Sequence, residues 1–241
     1  MKSVAACVLL FSIAAPSGSE PPIHPITLTD LSGADCPLKS SGKASFQEVT
    51  SDTTIKVSYG FDVDFVNVGF KPILAYEASL DLNSDHGAKL HSDDDVDFFF
   101  SSDALLPGSN IKWVEEPSRW IIVPYREVPP TGKPAAILRV TFVEFVDGTR
   151  FGNSVWGDKL AEQRKAGRNC LNALADAYES DKKNGLANAV RTQMAQLREF
   201  GGTVHELLRE VKETLDSKGV PAATAEIRSR LDNAQKHMDA R

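Results

Sequence analysis

Residues 55–65, IKVSYGFDVDF, decide the fold class, because their apolar side chains occupy every second position. Successive side chains of a β-strand point to opposite faces, so this period indicates a strand with one buried and one solvated face. The pattern returns in residues 74–82, where Glu77, Ser79 and Asp81 alternate with apolar residues. We therefore predict a β-rich region built around these two strands.

Shorter strand patterns and turn signals continue this region. Asp147-Gly148 predicts a hairpin, since glycine tolerates the positive φ of a tight turn. About seven or eight strands with no helical pattern between them predict an antiparallel, immunoglobulin-like β-sandwich over residues 45–153, with a small β-barrel as the alternative. An extended N-terminal segment, residues 21–44, precedes it. The shorter strands are predicted at residues 96–100, 111–114, 120–125 and 137–146.

A helical period begins after Trp156 and continues through the C-terminal region. Leu186 to Leu215 form a seam with heptad-like spacing, which Gly201-Gly202 interrupts. The sequence therefore predicts an α+β protein with a helical, coiled-coil-like region over residues 154–241. Short connections at residues 183–185 and 218–221 favour helices that pack on one another within the chain. A coiled-coil homo-oligomer is the alternative.

Residues 1–20 have the pattern of a secretory signal peptide: Lys2, a short apolar run, and small residues that break a helix. The apolar run is shorter than the roughly 20 residues that span a bilayer, so we expect no membrane span after cleavage. A secreted or periplasmic location follows. Cleavage would leave Cys36 and Cys170, which predict either one disulfide or two free buried thiols.

Composition and charge exclude several classes of protein. Hydrophobic residues make up 41% of the 241 residues, which excludes a disordered chain and a polytopic membrane protein. The net charge of −6 argues against general nucleic-acid binding. Residues 21–153 carry 19 acidic and 11 basic residues, a net charge of −8, and residues 154–241 carry 13 acidic and 15 basic residues, a net charge of +2.

The densest group of metal-ligand side chains lies in residues 81–97. Asp81, Asn83 and Asp85 have the spacing that opens a calcium loop, but His86 and Ser92 occupy the positions that need glycine and glutamate. A turn at residues 84–87 followed by a solvated acidic loop is the simpler interpretation. His86 and His91 lack a third zinc ligand nearby. We predict no metal and no cofactor.

Three aromatic residues, Trp113, Trp120 and Tyr125, are candidates for a binding face. The alternation around the two tryptophans favours core positions instead. Trp156 lies at the junction of the two regions, where we expect it to pack the first helix onto a sheet. Ser154 is the predicted cap of that helix, with Asp158 as its competitor.

We find no recognisable catalytic motif in the sequence. Residues 152–157, GNSVWG, are one residue too long for a nucleophile elbow. The sequence therefore predicts a non-catalytic binding or scaffolding protein whose partner is a protein or an envelope component. A hydrolase with a dispersed active site and a coiled-coil assembly protein are the alternatives.

Overall fold

The computed structural model describes residues 21–51, 53–124, 133–182, 184–195 and 202–241. Within these residues ten strands are followed by four helices, so the predicted α+β class is confirmed. The predicted signal segment lies outside the described residues. The elements are β1 (Ile23–Ile26), β2 (Leu28–Asp30), β3 (Leu38–Thr50), β4 (Thr54–Asn67), β5 (Ile73–Asn83), β6 (Lys89–Asp97), β7 (Asn110–Glu115), β8 (Trp120–Pro124), β9 (Ala135–Phe145), β10 (Arg150–Gly152), α1 (Ser154–Ser180), α2 (Gly185–Ala195), α3 (Gly202–Lys218) and α4 (Val220–Asp239).

The strands form two sheets with mainly antiparallel pairing. The first sheet has the order β1-β3-β4-β7, and β8 also pairs with β4. The second has the order β10-β9-β5-β6, and β2 joins it parallel to β9. Neither sheet closes into a barrel in the part of the chain that the structure describes. The strand count exceeds the prediction because the predicted N-terminal segment contains β1, β2 and the start of β3.

The two sheets share one apolar core. The apolar side of β4, from Ile55 to Phe65, is buried in it, which confirms the alternation predicted for that strand. The inward side of β5 faces it, and the rings of Phe65 and Tyr76 lie 5.4 Å apart. Burial of one face of each sheet stabilises both at roughly 25 cal/mol for each Å² of apolar surface removed from water.

The acidic run is a strand, which corrects the expected solvated loop. Residues 89–97 form β6, paired along their length with β5. Leu90 and Val96 pack against the core between charged neighbours, so this stretch also alternates, although its polar residues obscure the pattern. In the described residues no strand pairs with the other side of β6, and charged side chains are typical of such an edge.

Helix α1 lies against the outer face of the second sheet. Trp156 packs 4.7 Å from the ring of Phe142, which confirms its predicted role. Two glycines bring the helix close to its neighbours: a Cβ at Gly157 would lie 2.8 Å from Phe142, and one at Gly167 would lie 2.8 Å from Phe100. A larger residue at either position would push α1 away from the sheet.

The four helices pack on one another and on the sheet within one chain. Leu171 of α1, Leu208 of α3 and Ile227 of α4 belong to one buried cluster, which also contains Phe99 and Phe100 from the turn after β6. The predicted seam is divided between α2 and α3, and residues 196–201 lie outside the described part. No helix in that part is both long and apolar enough to cross a membrane.

Buried charges join the helices to the second sheet. Glu144 of β9 is fully buried and accepts hydrogen bonds from Arg164 of α1 at 2.5 Å, from Arg150 at 3.1 Å, and from Arg241. Arg164 also forms a bidentate ion pair with Asp97. Burial lowers the pKa of Arg164, but the two carboxylates outweigh it and hold that pKa above its usual value. We call these five residues the ion network.

Substituting Glu144 with glutamine should reduce stability by about 3–5 kcal/mol, because three guanidinium groups would lose a buried carboxylate. Urea unfolding measures the change. Glu213→Gln is the matched control: its pair with Arg209 is exposed, so we expect a change below about 1 kcal/mol. Equal losses in the two variants would show that the ion network does not hold the helices in place.

The cap of α1 is Asn153, not Ser154 or Asp158 as predicted. Its Oδ1 accepts a hydrogen bond from the Val155 amide at 3.0 Å. Substituting Asn153 with alanine should therefore lower the free energy of unfolding by about 1 kcal/mol. Ser154→Ala, one position along, should change it by less than about 0.5 kcal/mol in the same urea experiment. A larger loss in the Ser154 variant would contradict this assignment.

Candidate binding site

One buried side chain organises the loop between β4 and β5. The Nδ2 of Asn67 donates to the carbonyls of Lys71 at 2.9 Å and Leu105 at 2.8 Å, and its Oδ1 accepts from the Gly69 amide at 3.0 Å. The Val68 amide also donates to the Pro37 carbonyl at 2.9 Å. The loop is thus tied at several points to the surrounding structure.

This loop presents apolar side chains to solvent. Phe70 is 91% exposed and Val68 is 57% exposed. At the other end of the loop, Lys71 forms an ion pair with Asp147 at 2.6 Å. This ion pair, together with hydrogen bonds that Thr149 donates to Asp147, lowers the pKa of Asp147 to about 2. Phe70 is therefore exposed on a loop that is anchored at both ends.

A groove of about 500 Å³ runs beside this loop and is lined by Phe145, Phe151, Pro37 and Cys36. A second groove of about 430 Å³ lies along Asp30, Leu31 and Gly33. Both grooves are lined by Ala34 and Lys39, so they adjoin. We call the two grooves together the Phe70 trough.

Lys39 stands where the two grooves meet. Its Nζ donates to the carbonyls of Gly33 at 2.8 Å and Ala34 at 2.9 Å. An ammonium group has three donors, so one remains for a ligand. Nearby, Asp30 accepts hydrogen bonds from Ser32 and Ser40, which lower its pKa although burial opposes this.

A larger cleft of about 600 Å³ lies between β6 and the helices. Its carboxylates are largely paired by arginines: Asp97 with Arg164, Glu206 with Arg209, and Glu210 with Arg230. The first pair links β6 to α1, the third links α3 to α4, and the second lies within α3. We favour the Phe70 trough as the binding site because it combines exposed apolar side chains with a cation that retains a free donor.

The structure separates the predicted aromatic candidates. Trp113 packs into the core, 4.8 Å from the ring of Phe61. Trp120 lies on the opposite face of the same sheet, beside Ser58, and is 40% exposed. Tyr125 lies outside the described residues. The core interpretation thus holds for Trp113, and the two tryptophans share no face.

The calcium candidates lie in an extended strand and the turn after it. Asp81 and Asn83 belong to β5, and Asp85 follows it. Strand residues two apart are about 6.6 Å apart along the strand, so Asp81, Asn83 and Asp85 do not curl around one ion as in a calcium loop. Across residues 21–51, 53–124, 133–182, 184–195 and 202–241, no three acidic, histidine or cysteine side chains are grouped to hold a metal.

Both histidines of the acidic region contact carboxylates. The Nδ1 of His86 lies 2.8 Å from Glu48. His91 is opposite Asp81 in the β5–β6 register, with Nδ1 2.7 Å from Asp81 and Nε2 3.0 Å from Asp93. The bond to Asp81 is the main reason that the pKa of His91 is raised, and it also lowers the pKa of Asp81.

The two cysteines belong to different cores, so the disulfide alternative is not realised. Cys36 lies in the core between the sheets, and Cys170 lies in the helical cluster. Both are free thiols. Burial raises the pKa of Cys36 and raises that of Cys170 to about 11, which keeps the thiols protonated and unreactive.

The residues that form the Phe70 trough were missed by the sequence reasoning. One local signal was present: residues 67–72, NVGFKP, contain asparagine, glycine and proline, which are typical of a turn. Phe70, between Gly69 and Lys71 in this turn, belongs neither to the alternating pattern of residues 55–65 nor to that of residues 74–82. Lys39 carried no such signal, because its neighbours come together only in the folded chain.

Titration of His91 tests the bridge across β5 and β6. NMR should give a pKa above the ordinary value of about 6.5. Asp81→Asn should lower it more than Asp93→Asn, because the Asp81 bond is the larger cause. The stability that the charged His91 adds by bonding Asp81 should be fully present below about pH 6.5, and it should be lost as the pH rises through the raised pKa of His91. An unchanged pKa in Asp81→Asn would contradict the bridge.

Comparison with known proteins gives no family. No family model matches the chain, and no curated protein matches it. One solved structure is similar, a Northeast Structural Genomics Consortium target described as SoR45, with a TM-score of 0.32 and 10% sequence identity. The similarity covers 48% of this chain and 79% of that one.

Proposed function

We propose that this protein is a secreted or periplasmic, non-catalytic binding or scaffolding protein that contacts its partner through the Phe70 trough. The observation that carries the proposal is the exposure of Phe70, 91%, on a loop fixed by Asn67. A large aromatic side chain costs free energy in water and contributes strongly when a partner covers it. A fixed loop also loses little conformational entropy on binding.

The fold supports a role in recognition. We propose that the two sheets are an immunoglobulin-like sandwich, since they share one core and pair mainly antiparallel. Such sheets hold loops rigidly at their ends, where recognition surfaces are common. The trough lies at such an end, among the β4–β5 loop, residues 33–37 and the hairpin from β9 to β10.

Assembly through the helices, as a coiled-coil oligomer, is the competing proposal. Leu186 and Val190 of α2, with Val204, Leu208 and Val211 of α3, pack in the cluster of this chain itself. A coiled-coil seam would instead present these side chains to a second helix bundle. Their burial therefore supports a scaffold in which the helices brace the second sheet.

A hydrolase with a dispersed site would need a histidine that faces a hydroxyl group as well as an acid. His86 faces Glu48, and His91 faces two carboxylates across its two ring nitrogens. This arrangement suits an ion bridge between strands. It lends the hydrolase alternative no specific support.

Capture from the native envelope tests the binding proposal. The immobilised protein should retain a partner, and Phe70→Thr should lose it. Ile122→Thr is the matched control, because Ile122 is 62% exposed on β8, away from the trough, and this variant should retain the partner. If the Phe70→Thr variant still retained the partner, the trough would not be the binding site. If no partner were captured and the protein turned over substrates of an esterase or glycosidase panel, the proposal of a non-catalytic binding protein would be wrong.

A further inference from the structure

One edge of β6 has its backbone groups pointing away from β5. The Phe98 amide, just after β6, donates to the Leu74 carbonyl of β5 at 2.9 Å. Backbone groups of successive residues in an antiparallel strand point to alternate sides. The amide of Val96 therefore points to β5, and those of Asp93 and Asp95 point away from it. No strand of the described residues pairs with that side, and such an edge accepts an added strand.

The cleft between β6 and the helices opens on this edge. Its lining includes the consecutive residues Asp95, Val96 and Asp97. Successive side chains of a strand point to opposite faces, so a cleft that borders three in a row borders the edge of the strand. Trp156 of α1 and Leu207 of α3 provide apolar walls, and the cleft has a volume of about 600 Å³. The cleft therefore leaves space for the end of an added strand beside β6.

Like charges surround the carboxylate of Asp95. This residue lies directly opposite Glu77 in the β5–β6 register, two positions from Asp93. In the part of the chain that the structure describes, its side chain forms neither a hydrogen bond nor an ion pair. Burial raises the pKa of Asp95, the charges of Glu77 and Asp93 raise it further, and Lys159 offsets these charges only in part. A cation added beside Asp95 would therefore be stabilised.

The cations of the protein itself do not balance these carboxylates. Lys89, at the far end of β6, lies about 13 Å along the strand from Asp93. Other cations near this edge already contact carboxylates: Arg164 binds Asp97, Arg139 binds Asp81, and His91 lies between Asp81 and Asp93. The carboxylates on this edge therefore outnumber the cations that face them.

The charge of this edge favours a basic partner over a second copy of the chain. A second copy that paired through its own β6 would bring four further aspartates, and like charges oppose such pairing. Residues directly opposite each other on neighbouring strands share a face, with Cβ atoms about 5 Å apart. Lysine or arginine side chains opposite Asp93 and Asp95 can therefore reach both carboxylates.

We propose that the free edge of β6 is a second binding site, which takes an extended basic peptide segment as an added strand. The peptide backbone bonds the N–H and C=O groups of β6 that point away from β5. Its lysine or arginine side chains, at alternate positions, pair with Asp93 and Asp95. The cleft beside β6 and the Phe70 trough share no lining residue, so this site is distinct from the one in the proposed function.

Three labelled peptides test the proposal by fluorescence polarisation with the whole chain. The first is acetyl-Thr-Lys-Val-Lys-Val-Thr-amide, and the other two replace both lysines with glutamine or with glutamate. We expect the lysine peptide to bind about tenfold more tightly than the glutamine peptide, and the glutamate peptide to bind most weakly. Added salt should weaken binding of the lysine peptide and leave that of the glutamine peptide nearly unchanged.

N-methylated versions of the lysine peptide test the strand geometry. Residues directly opposite Asp93 and Asp95 exchange backbone hydrogen bonds with them, so methylation of the lysine amides should weaken binding about tenfold. Methylation of the valine amides blocks the other edge of the peptide and should weaken binding far less. In the unaltered protein, the bound peptide should slow hydrogen exchange at the amides of Asp93 and Asp95 and leave it unchanged at that of Val96.

Variants of the protein locate the charged contact. Asp95→Asn should weaken binding of the lysine peptide about fivefold and leave that of the glutamine peptide unchanged. Asp35→Asn is the matched control, because Asp35 is an exposed aspartate beside the Phe70 trough, and it should change neither. Phe70→Thr should also change neither. Thermal melts check that each variant is folded, and the methylated peptides need no variant.

Each contrary result rejects a stated part of the inference. Equal binding of the lysine and glutamine peptides would overturn the basic partner. Equal effects of the two methylations would overturn strand addition, and an unchanged affinity in Asp95→Asn would overturn the position on β6. No binding by any peptide at about 1 mM would overturn the site, whereas envelope capture with Phe70→Thr separately decides the proposed function.

Discussion

The burial of Glu144 among arginines is the constraint on which the arrangement of the sheets and helices depends. A carboxylate that is fully shielded from water is stable as an ion only if cations replace its hydration, and here Arg150, Arg164 and Arg241 do so. These arginines come from β10, from α1 and from the residues after α4. The charge therefore fixes how α1 and the chain beyond α4 lie against the second sheet, whereas apolar contacts alone would tolerate small shifts.

A β-bulge in β9 makes this arrangement possible. Leu138 and Val140 face the core between the sheets, and strict alternation would send Phe142 and Glu144 there as well. The pairing with β5 skips Thr141, which is the extra residue of the bulge. After it, Val143 faces the core between the sheets, while Phe142 faces α1 and Glu144 faces the arginines. One extra residue thus gives a single strand two buried faces and keeps the charge out of the apolar core.

The sequence reasoning succeeded where one physical period dominates. The alternation of β4, the turn at Asp147-Gly148 and the change to helix after Gly152 were predictable from local patterns. It failed where tertiary contacts override the pattern: β6 is a strand although four of its nine residues from Lys89 to Asp97 are aspartates, because β5 supplies its partner. The Phe70 trough was out of reach for the same reason, since Asn67 and Lys39 act through backbone groups that only folding brings to them.

The exposed edge of β6 has a consequence for how copies of this protein meet. Unpaired strand edges invite pairing with a neighbouring chain, and like charges along the edge oppose it. Burial raises the pKa of Asp94 and Asp95 on this strand, so these carboxylates accept protons earlier than ordinary aspartates as the solution becomes acidic. Protonation of these two residues therefore lowers the negative charge of β6, and the repulsion that opposes pairing along this edge weakens as the pH falls.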